Sequence, residues 1–385
     1  MLLLEHDAKT LLAEHGIPVP EGLLVKNSAP VPKPAFAPPW MVKAQVPVGG
    51  RGKAGAIKKV DEYTGLASTI AHIMDLRVRS FEIGECLIER AVASAEEHYV
   101  SLSIDPNRCG VTIILSPNGG IDIEAQSKDK LAVGFAPLSL DALHEEIKRL
   151  ATTLPASTRE TIRDAAEKLA VVFMSSDLAL LEINPLFSLA DGTWIAGDAK
   201  IIFDENALTR QPFMEGLLAG RSNAYPADAF KRTYGFDFIV LDPAGEIGLI
   251  TTGAGLTMKV IDELIAEGVK PFNFCDIRSG MMRGDPARLK LVLSHISQGP
   301  QVKAILVNLF AGITNLGEFA QLLIDAVGAA DGPHVPIVTR LIGNAAEDAA
   351  RILHSSDLPF LVENDLDAAI AKVADLAHGS EDSNA

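Results

Sequence analysis

The segment IGLITTGAGLTMKVIDELI, residues 247–265, shows the unit from which the second half of the chain is built. It opens with an apolar run that does not alternate with polar residues, which is typical of a strand buried on both faces of a parallel sheet. A glycine-containing turn follows, and after it the apolar residues recur with helical spacing. The segment therefore predicts a strand, a tight turn and a helix in succession.

The same order recurs on both sides of this segment. The apolar runs that we predict to be parallel strands are DFIVLD (237–242), IGLITTG (247–253), PFNFCD (271–276), VKAILVNLF (302–310) and VPIVTRL (335–341). Helical patterns lie between them, near 257–268, 285–299, 316–329 and 344–355. Strands that alternate with helices predict a flavodoxin-like, doubly wound α/β domain, whose ligands should bind at the carboxyl ends of the strands.

The first half of the chain has a different pattern and predicts an α+β domain. Residues 1–16 predict a helix, 97–126 predict antiparallel strands with a turn at Asn118-Gly119-Gly120, and 178–204 predict a hairpin that turns at Ala190-Asp191-Gly192. The stretch 210–235 has the mixed polarity of a linker. We therefore predict two domains, 1–225 and 226–385.

Composition limits the classes of function. The chain has 385 residues, 48% of them hydrophobic, and a formal net charge of −16. Such an acidic chain is not expected to bind nucleic acid, since phosphate neutralisation needs clustered lysine and arginine, and no apolar run is long enough for a membrane span. The three scattered cysteines and an N-terminus without a basic signal-peptide region predict a soluble protein of the reducing cytoplasm.

A basic, glycine-rich loop interrupts this acidic chain. In WMVKAQVPVGGRGKAGAIKKV, residues 40–60, an early lysine is followed by four glycines, an arginine and further lysines. Glycines let backbone amides approach phosphate oxygens, and the basic side chains neutralise their charge. The loop is not a Walker A motif, because no Gly-Lys-Ser/Thr opens a helix. Its composition fits either a phosphate-binding loop or a flexible basic surface loop.

A second cluster of polar residues lies in the predicted hairpin. Glu182 and Asn184 share one face of a strand by the two-residue alternation, and Asp198 lies on the returning strand. Amide and carboxylate oxygens are ligands that suit Mg²⁺ bound to nucleotide phosphates. Turn chemistry at Asn184-Pro185 and a solvated Asp198 would explain the same residues without a metal.

A third set of residues lies at turns of the second domain. TTGAG (251–255) and NLFAGITN (308–315) each join a strand to a helix, so both place free amides at a helix N-terminus, where an anion is favoured. Arg278 and Arg283 lie nearby in sequence and could bind a carboxylate in a two-point contact. They could equally pair with Asp276 or Asp285 on the surface.

Taken together, these motifs resemble a known family. The runs WMVKAQVPVGGRGKAGAIK, EINPLF, DAKIIFDENAL, TTGAGLTMKVID and AILVNLFAGIT occur here in the order found in the β subunit of succinyl-CoA synthetase, the ATP-grasp half of the ADP-forming acid–CoA ligases. The resemblance extends from HDAKTLLAEHGIPVPEG (6–22) to RLIGNAAEDAARIL (340–353). It implies that the first domain is an ATP-grasp domain.

The resemblance implies a nucleotide site with phosphate-binding, hinge and acidic positions. The residues at the phosphate-binding positions are Lys43, Gly50, Arg51, Gly52 and Lys53. Glu89 matches the hinge that meets the adenine, and Glu97 matches an acidic position facing the nucleotide. Asn184 and Asp198 match Mg²⁺ ligands, and Glu182 matches the acid that approaches a phosphohistidine.

The resemblance also implies a partner and a reaction. The phosphohistidine and the CoA site of such enzymes belong to a separate α subunit. ATP phosphorylates that histidine, the phosphoryl group passes to a small carboxylic acid, and CoA then displaces phosphate from the acyl phosphate. The implied roles of this chain are to hold Mg-ATP and to help bind the acid, with the helix N-terminus at Gly312 directed at the shared histidine.

The implied acid site departs from the family pattern. Its residues are Thr252, Arg278, Gly312, Ile313, Thr314 and Asn315. Thr252 stands where the family has asparagine, Arg278-Ser279-Gly280 replaces three glycines, and Thr314-Asn315 replaces an aliphatic residue and an arginine. A fourth departure, Pro47-Val48, lies before the basic loop. We hypothesise an acid with an extra hydroxyl or carboxylate, such as malate or citrate; drift around an unchanged succinate site is the alternative.

Three functions are therefore weighed. The first is the β subunit of a succinate–CoA ligase-like enzyme, the second is a malate–CoA or citrate–CoA ligase subunit, and the third is a non-catalytic, nucleotide-binding regulatory subunit. A binding module has no need to keep both metal ligands and the transfer-side acid. The presence of Lys43, Glu182, Asn184 and Asp198 together therefore favours an enzyme.

Overall fold

The computed structural model describes residues 1–26, 30–79, 81–94, 96–120, 131–281, 284–329 and 334–379. The chain forms two compact units, Met1–Leu217 and Leu218–Ala385. The boundary between the two domains that the sequence predicts, after residue 225, stays a prediction. Across the described ranges, none of the helices combines the length and the apolar character that crossing a bilayer requires.

The first unit begins with a four-stranded antiparallel sheet. Its elements are α1 (Glu5–Glu14), β1 (Gly22–Lys26), β2 (Trp40–Ala44), β3 (Ile57–Val60), α2 (Leu66–Met74), β4 (Arg77–Val78), β5 (Phe81–Glu82) and β6 (Glu85–Arg90). The strand order is β1-β6-β2-β3, with β4 and β5 paired separately. Helix α2 packs its apolar face, including Ile70 and Ile73, against Val42 and Ile88 of the sheet. The basic loop thus connects two neighbouring strands, β2 and β3.

A six-stranded sheet completes this unit. Its elements are β7 (Glu96–Asp105), β8 (Gly110–Ser116), β9 (Ala132–Pro137), α3 (Leu140–Ala151), α4 (Arg159–Ser175), β10 (Leu178–Ser188), β11 (Trp194–Ala196) and β12 (Ala199–Phe203). The order is β11-β10-β7-β8-β9, and β12 also pairs with β10. The predicted hairpin β10–β11 is confirmed. Strand β9 was not predicted, and the strand expected at 121–126 lies outside the described residues.

The predicted helix over 1–16 begins only at Glu5. Before it, the Leu3 amide donates to the Ile201 carbonyl at 2.9 Å, and the Phe203 amide donates to the Met1 carbonyl at 2.8 Å. The first residues therefore extend alongside β12 instead of coiling. This pairing fixes the start of α1 beside the β10–β12 region.

Two helices lie where a linker was expected. Residues 210–235 include α5 (Pro212–Gly220) and α6 (Pro226–Tyr234). Proline is tolerated in the first turn of a helix, and Gly235 ends α6 with a left-handed conformation, φ 74°. Phe230 of α6 packs edge-on against Phe236, with ring centroids 5.0 Å apart. The mixed polarity that suggested a linker is that of an amphipathic helix.

The rest of the second unit is the predicted doubly wound sheet. Its elements are β13 (Asp237–Val240), β14 (Ile247–Thr251), α7 (Ala254–Ala266), β15 (Asn273–Asp276), α8 (Ala287–Ile296), β16 (Ala304–Ala311), α9 (Leu316–Val327), β17 (Ile337–Gly343), α10 (Ala346–His354), β18 (Phe360–Val362) and α11 (Leu366–His378). The order is β13-β15-β14-β16-β17-β18. Neither β18 nor α11 was predicted.

Strand β13 was predicted to be parallel and is antiparallel to β15. Only the six residues from 241 to 246 separate it from β14. A parallel connection needs a crossover of about a dozen residues or more, so this short connection reverses the chain direction. The remaining pairings of the sheet are parallel.

The strand order locates the expected ligand site. Strand β14 has β15 on one side and β16 on the other, so the crossovers that leave β14, toward β15, and β16, toward β17, run in opposite directions along the sheet. In a doubly wound sheet, the crevice for ligands lies at the carboxyl ends of the two strands at this switch point. The turns that follow β14 and β16, at Thr252-Gly253 and Gly312-Ile313-Thr314, lie at that edge. The flavodoxin-like prediction is confirmed.

Candidate functional site

The site in the first unit lies at a strand interruption, where the partner of strand β10 changes from β12 to β11. Strand β10 pairs with β12 up to Ile183–Ala199 and with β11 from Leu186–Ala196 onward. Asn184 and Pro185 therefore lie opposite Gly197 and Asp198, which belong to neither partner strand. The Asn184 amide donates to the Asp198 carbonyl at 3.3 Å. The backbone thus holds the two predicted metal ligands next to each other.

Asn184 and Asp198 line a cavity of about 300 Å³. Six of the residues predicted from the sequence border it: Gly50, Arg51, Gly52, Glu182, Asn184 and Asp198. Residues of the start of the chain, including Leu2, Leu3 and Glu5, form another part of its wall. The glycine-rich loop and the polar strand interruption therefore meet at one place.

Beside this cavity lies a group of three acidic and three basic side chains, which we call the ion cluster: Glu5, Lys9, Lys43, Arg51, Glu89 and Asp198. Lys43 Nζ lies 2.7 Å from Glu5 Oε1 and 2.8 Å from Glu89 Oε2. Lys9 Nζ lies 2.8 Å from Glu5 Oε1 and 2.5 Å from Glu89 Oε1. The formal charges of the cluster cancel, which offsets the cost of burying them.

Arg51 connects the ion cluster to the predicted metal ligands. Its Nη1 lies 2.6 Å from Glu5 Oε2, and its Nη2 lies 2.9 Å from Asp198 Oδ2. Nη1 also donates to the Ala44 carbonyl at 3.2 Å. The guanidinium therefore lies between a buried carboxylate and a carboxylate at the cavity.

Burial and charge act against each other in this cluster. Burial opposes ionisation of Glu5, but Lys43, Lys9 and Arg51 outweigh it and hold the Glu5 pKa well below its ordinary value. Burial would lower the pKa of Lys43 and of Arg51, yet Glu5 and the other carboxylates raise both. Burial, then the charge of Glu5, raises the pKa of Asp198. Asp198 is thus less stabilised as an anion than Glu5.

Glu89 is predicted to lie at a hinge that meets the adenine, and in the structure it is buried in the ion cluster. Its side chain is only 2% exposed and is held between Lys9 and Lys43. It therefore serves here as a partner of Lys43. Its predicted role toward adenine stays a prediction.

Glu97 lies near Asn184, and Gly120 separates them. The Gly120 amide donates to Asn184 Oδ1 at 2.7 Å. A Cβ at Gly120 would lie 2.0 Å from Glu97 Oε2, and its φ of +73° also favours glycine. The turn at Asn118-Gly119-Gly120 therefore brings a predicted nucleotide-facing acid to a predicted metal ligand. Lys53 is exposed and does not border the cavity.

Glu5 and Lys9 were not among the residues predicted from the sequence. Both are nearly buried on α1, at 4% exposure each. Their four-residue separation places them on one face of the helix, where such a pair is usually a surface ion pair. The available signal was that this face of α1 also carries the apolar residue Leu12, seven residues after Glu5.

The residues at the strand interruption fit a magnesium ion. Asn184 Oδ1 and the Asp198 carboxylate are hard oxygen donors at one cavity, and Mg²⁺ is commonly held by one or two such groups together with substrate phosphates. Among the residues that the structure describes, no group of three His, Cys, Asp or Glu side chains could hold a metal.

A second cavity, of about 210 Å³, lies at the carboxyl edge of the parallel sheet. Three of the predicted acid-site residues, Ile313, Thr314 and Asn315, border it together with Ser279 and Gly280. Ser279 Oγ lies 3.2 Å from Thr314 Oγ1. Two hydroxyl groups therefore meet at the wall of this cavity.

The other predicted acid-site residues do not border that cavity. Arg278 Nη2 lies 3.3 Å from Asp237 Oδ2, so the side chain pairs with β13, whereas pairs with Asp276 or Asp285 were the alternatives weighed. Thr252 and Gly312 lie in the turns after β14 and β16. Arg283 lies outside the described residues.

At the N-termini of α7 and α9, side-chain oxygens of the chain itself accept hydrogen bonds from backbone amides. Asn315 Oδ1 accepts from the Gly317 and Glu318 amides at 2.9 and 3.2 Å, so Asn315 caps α9. Asp276 Oδ1 accepts from the Gly253 amide at 3.0 Å, in front of α7. An anion at either turn would therefore share these amides with an existing oxygen acceptor.

Known proteins resemble the chain along nearly its whole length. Residues 2–188 match the ATP-grasp domain family, and residues 250–374 match the CoA-ligase family. The chain is 32% identical to the ADP-forming succinate–CoA ligase subunit β of Ignicoccus hospitalis, over 95% of this chain and 96% of the relative. It is 33% identical to the GDP-forming succinate–CoA ligase subunit β of Thermus thermophilus, over 97% and 98%.

A solved structure shares the fold. The structure of ATP citrate lyase from Methanothrix soehngenii, in complex with citrate and coenzyme A, superposes with a TM-score of 0.71 at 17% identity. The superposition covers 97% of this chain and 98% of that chain. At this identity the similarity concerns the fold alone.

Proposed function

Since the chain belongs to the family of succinate–CoA ligase β subunits, we propose that it is the β subunit of an ADP-forming carboxylate–CoA ligase. It works with an α subunit that carries the phosphorylated histidine and the CoA site. The observation that supports this best is the meeting of Arg51, Glu182, Asn184 and Asp198 at one cavity. These are the residue types that phosphoryl transfer from a magnesium-bound nucleotide needs.

The first cavity is proposed as the phosphate end of the ATP site. Arg51 borders this cavity and would supply positive charge to the phosphates, and Gly50 and Gly52 let the loop backbone approach them. Lys43 and Lys53 do not border it: Lys43 would add its charge from behind the cavity wall, and Lys53 would have to turn toward the bound phosphates. Asn184 and Asp198 would hold Mg²⁺, which when bound neutralises phosphate charge and orients the transferring group. For this, Asp198 must release Arg51, whose Nη2 is then free to contact a phosphate oxygen.

Glu182 is proposed as the acid that receives the partner's histidine. Its side chain borders the same cavity as the proposed metal ligands. A carboxylate there can accept a hydrogen bond from the imidazole nitrogen that is not phosphorylated, which orients the ring for transfer. Glu97, beside Gly120, would face the nucleotide.

The second cavity is proposed as part of the acid site. The phosphoryl group passes from the histidine to the acid's carboxylate, forming an acyl phosphate, and the CoA thiol then displaces inorganic phosphate to leave the thioester. The turn at Gly312, Ile313 and Thr314 lies at the start of α9, where the helix dipole favours an anion. Thr252 lies at the matching turn before α7.

One observation favours an acid other than succinate. Ser279 and Thr314 place two hydroxyl groups at the second cavity, and both can donate and accept hydrogen bonds. A hydroxylated acid such as malate or citrate offers a hydroxyl that can both donate to and accept from these side chains, whereas succinate offers only carboxylate acceptors. A malate–CoA or citrate–CoA ligase subunit is therefore the second candidate.

The test is an ADP-formation assay on the chain co-purified with its α partner. Mg-ATP and CoA would be supplied with succinate, malate, citrate, itaconate or glutarate, and each assay repeated with GTP. Turnover with any of these acids supports the ligase. A kcat/KM for succinate more than about tenfold above those for malate and citrate would overturn the second candidate. Tight ATP binding without turnover on any acid would instead support a regulatory subunit.

We also propose that the enzyme works in the cytoplasm. Its three cysteines, Cys86, Cys109 and Cys275, are all free thiols. Thiols persist where the compartment is reducing, and disulfides are typical of oxidising ones.

A further inference from the structure

The Glu5 carboxylate contacts all three basic side chains of the ion cluster. Its two oxygens contact three cations: Lys43 at 2.7 Å, Lys9 at 2.8 Å and Arg51 at 2.6 Å. Its side chain is 2% exposed, so these contacts replace water almost completely. Lys9 belongs to the same helix, but Lys43 and Arg51 come from β2 and the basic loop. Glu5 therefore gathers cations from separate parts of the chain.

The geometry at Arg51 separates what Glu5 does from what Asp198 does. Glu5 holds Nη1, whereas Asp198 holds Nη2. The guanidinium is a rigid plane, so the contacts of Nη1 with Glu5 and with the Ala44 carbonyl restrict the direction of Nη2. If Asp198 turns to a metal ion and leaves Nη2, Glu5 still keeps that nitrogen directed at the cavity. Lys43 does not border the cavity, but Glu5 and Glu89 hold its Nζ behind the cavity wall.

We propose that Glu5 is a positioning residue of the nucleotide site, which holds Lys43 and Arg51 in place before and after the phosphates arrive. The inference rests on the proposed function of the first cavity as the ATP phosphate site. Because both cations are ordered in advance, nucleotide binding need not immobilise two long, flexible side chains. Lys9 in turn fixes Glu5 from four residues along the helix.

The experiment must remove Glu5 without leaving an excess of buried positive charge. The double variant Glu5→Gln/Lys9→Gln removes one charge of each sign, so the ion cluster stays neutral. Lys9→Gln alone keeps the Glu5 carboxylate beside Lys43 and Arg51, so it measures how much of the effect of the double variant comes from the loss of Lys9. Glu5→Asp keeps the charge with a shorter reach. Asp177→Asn is the matched distant control. Asp177 Oδ1 lies 2.7 Å from Arg210 Nη2, and neither residue borders the cavity.

All variants would be measured as the complex with the α partner. Calorimetry gives the Kd for Mg-ATP and Mg-ADP, and steady-state kinetics give the KM for ATP, CoA and the acid. We expect the double variant to raise the Kd and KM for ATP about tenfold or more, because a charge-assisted contact to each of two cations is lost. The KM for CoA and for the acid should stay within about twofold, with Glu5→Asp intermediate for ATP.

Several results would overturn the inference. Unchanged or tighter nucleotide binding in the double variant would show that Glu5 does not position these cations, and an equal rise of all three KM values would show a purely structural role. If the double variant did not fold, wild-type affinity in Glu5→Asp would overturn the inference and weakened ATP binding alone would support it. A wild-type complex that failed to bind Mg-ATP would overturn the proposed function itself.

Discussion

Arg51 holds the carboxylate of Asp198 in a two-point contact, with Nη2 3.2 Å from Oδ1 and 2.9 Å from Oδ2. Arg51, which belongs to the proposed phosphate site, thus pairs with Asp198, which is a ligand of the proposed metal site. On the proposed assignment, phosphate binding to Arg51 would release Asp198, and metal binding to Asp198 would release Arg51. The two events should therefore favour each other, which is a coupling between binding sites in the thermodynamic sense.

Replacing Asp198 by Asn should weaken the metal requirement selectively. The amide keeps the size of the side chain but loses the charge that attracts a divalent cation, so the Mg²⁺ concentration for half-maximal phosphorylation of the partner should rise about tenfold or more. The measurement is a Mg²⁺ titration of histidine phosphorylation at fixed ATP. Asp191→Asn, in the exposed turn of the same hairpin, is the control. An unchanged Mg²⁺ dependence would remove Asp198 from the metal site.

The Glu5 carboxylate should make the stability of the protein depend on pH. Lys43, Lys9 and Arg51 hold its folded-state pKa well below the ordinary value of 4.5, although burial acts in the opposite sense. The ionised Glu5 carboxylate therefore contributes its full stabilisation to the folded protein at pH values above its unfolded-state pKa of about 4.5. That contribution is lost as the pH falls toward the lower pKa of the folded state. Asp198, whose pKa burial raises, contributes with the opposite sign.

Because the charge of Glu5 also raises the Asp198 pKa, this contribution is isolated in proteins in which residue 198 does not titrate. Asp198→Asn is compared with Asp198→Asn/Glu5→Gln/Lys9→Gln by urea unfolding over a pH series. The difference in free energy of unfolding should be constant near neutral pH and should shrink as the pH falls below about 4.5. A difference that did not change with pH would mean that Glu5 has the same pKa in the folded and unfolded states.

The residues of the first cavity could be predicted in part because their signals are local. Glu182 and Asn184 follow the alternation of one strand, and Gly50 to Gly52 form one short loop, so each signal is contained in a few residues. The doubly wound sheet was predictable for the same reason, since each strand–helix unit has its own apolar pattern. Local patterns, however, do not show which residues pair across the chain.

The ion cluster could not be predicted because its contacts are distant in sequence. Lys9 meets Glu89 across 80 residues, and Arg51 meets Asp198 across 147. In a helix a Glu–Lys pair four residues apart is normally a solvated surface pair, so its burial depends on where α1 is placed by β12. Arg278 illustrates the same limit, because its partner Asp237 lies on a strand that was predicted to run parallel.

The hydroxyl groups at the second cavity should affect hydroxylated acids more than succinate. Thr314→Val keeps the shape of the side chain and removes the hydroxyl that lies 3.2 Å from Ser279 Oγ. If a malate or citrate hydroxyl binds there, kcat/KM for that acid should fall about tenfold while that for succinate changes little. Ser297→Ala, whose hydroxyl bonds to the Leu293 carbonyl on α8, is the control. Equal losses for all acids would indicate that Thr314 only supports the turn.

The turn that begins the acid site also depends on a close approach of two strands. Gly343, at the end of β17, has φ +134°, and a Cβ there would lie 2.0 Å from the Ala311 carbonyl oxygen. Ala311 is directly followed by Gly312, so relieving this clash would displace the turn before α9. Gly343→Ala should therefore lower the free energy of unfolding by at least about 1–3 kcal/mol and raise the KM for the acid.

Nucleotide binding by Gly343→Ala, measured by calorimetry with Mg-ADP, should remain at the wild-type level, because the clash concerns only β16 and β17. Gly216→Ala is the control: it lies inside α5 with nothing within 4 Å of the added Cβ, so it should be neutral or stabilising by about 0.5–1 kcal/mol. A wild-type KM for the acid in Gly343→Ala would show that the Gly312 turn does not contact the acid.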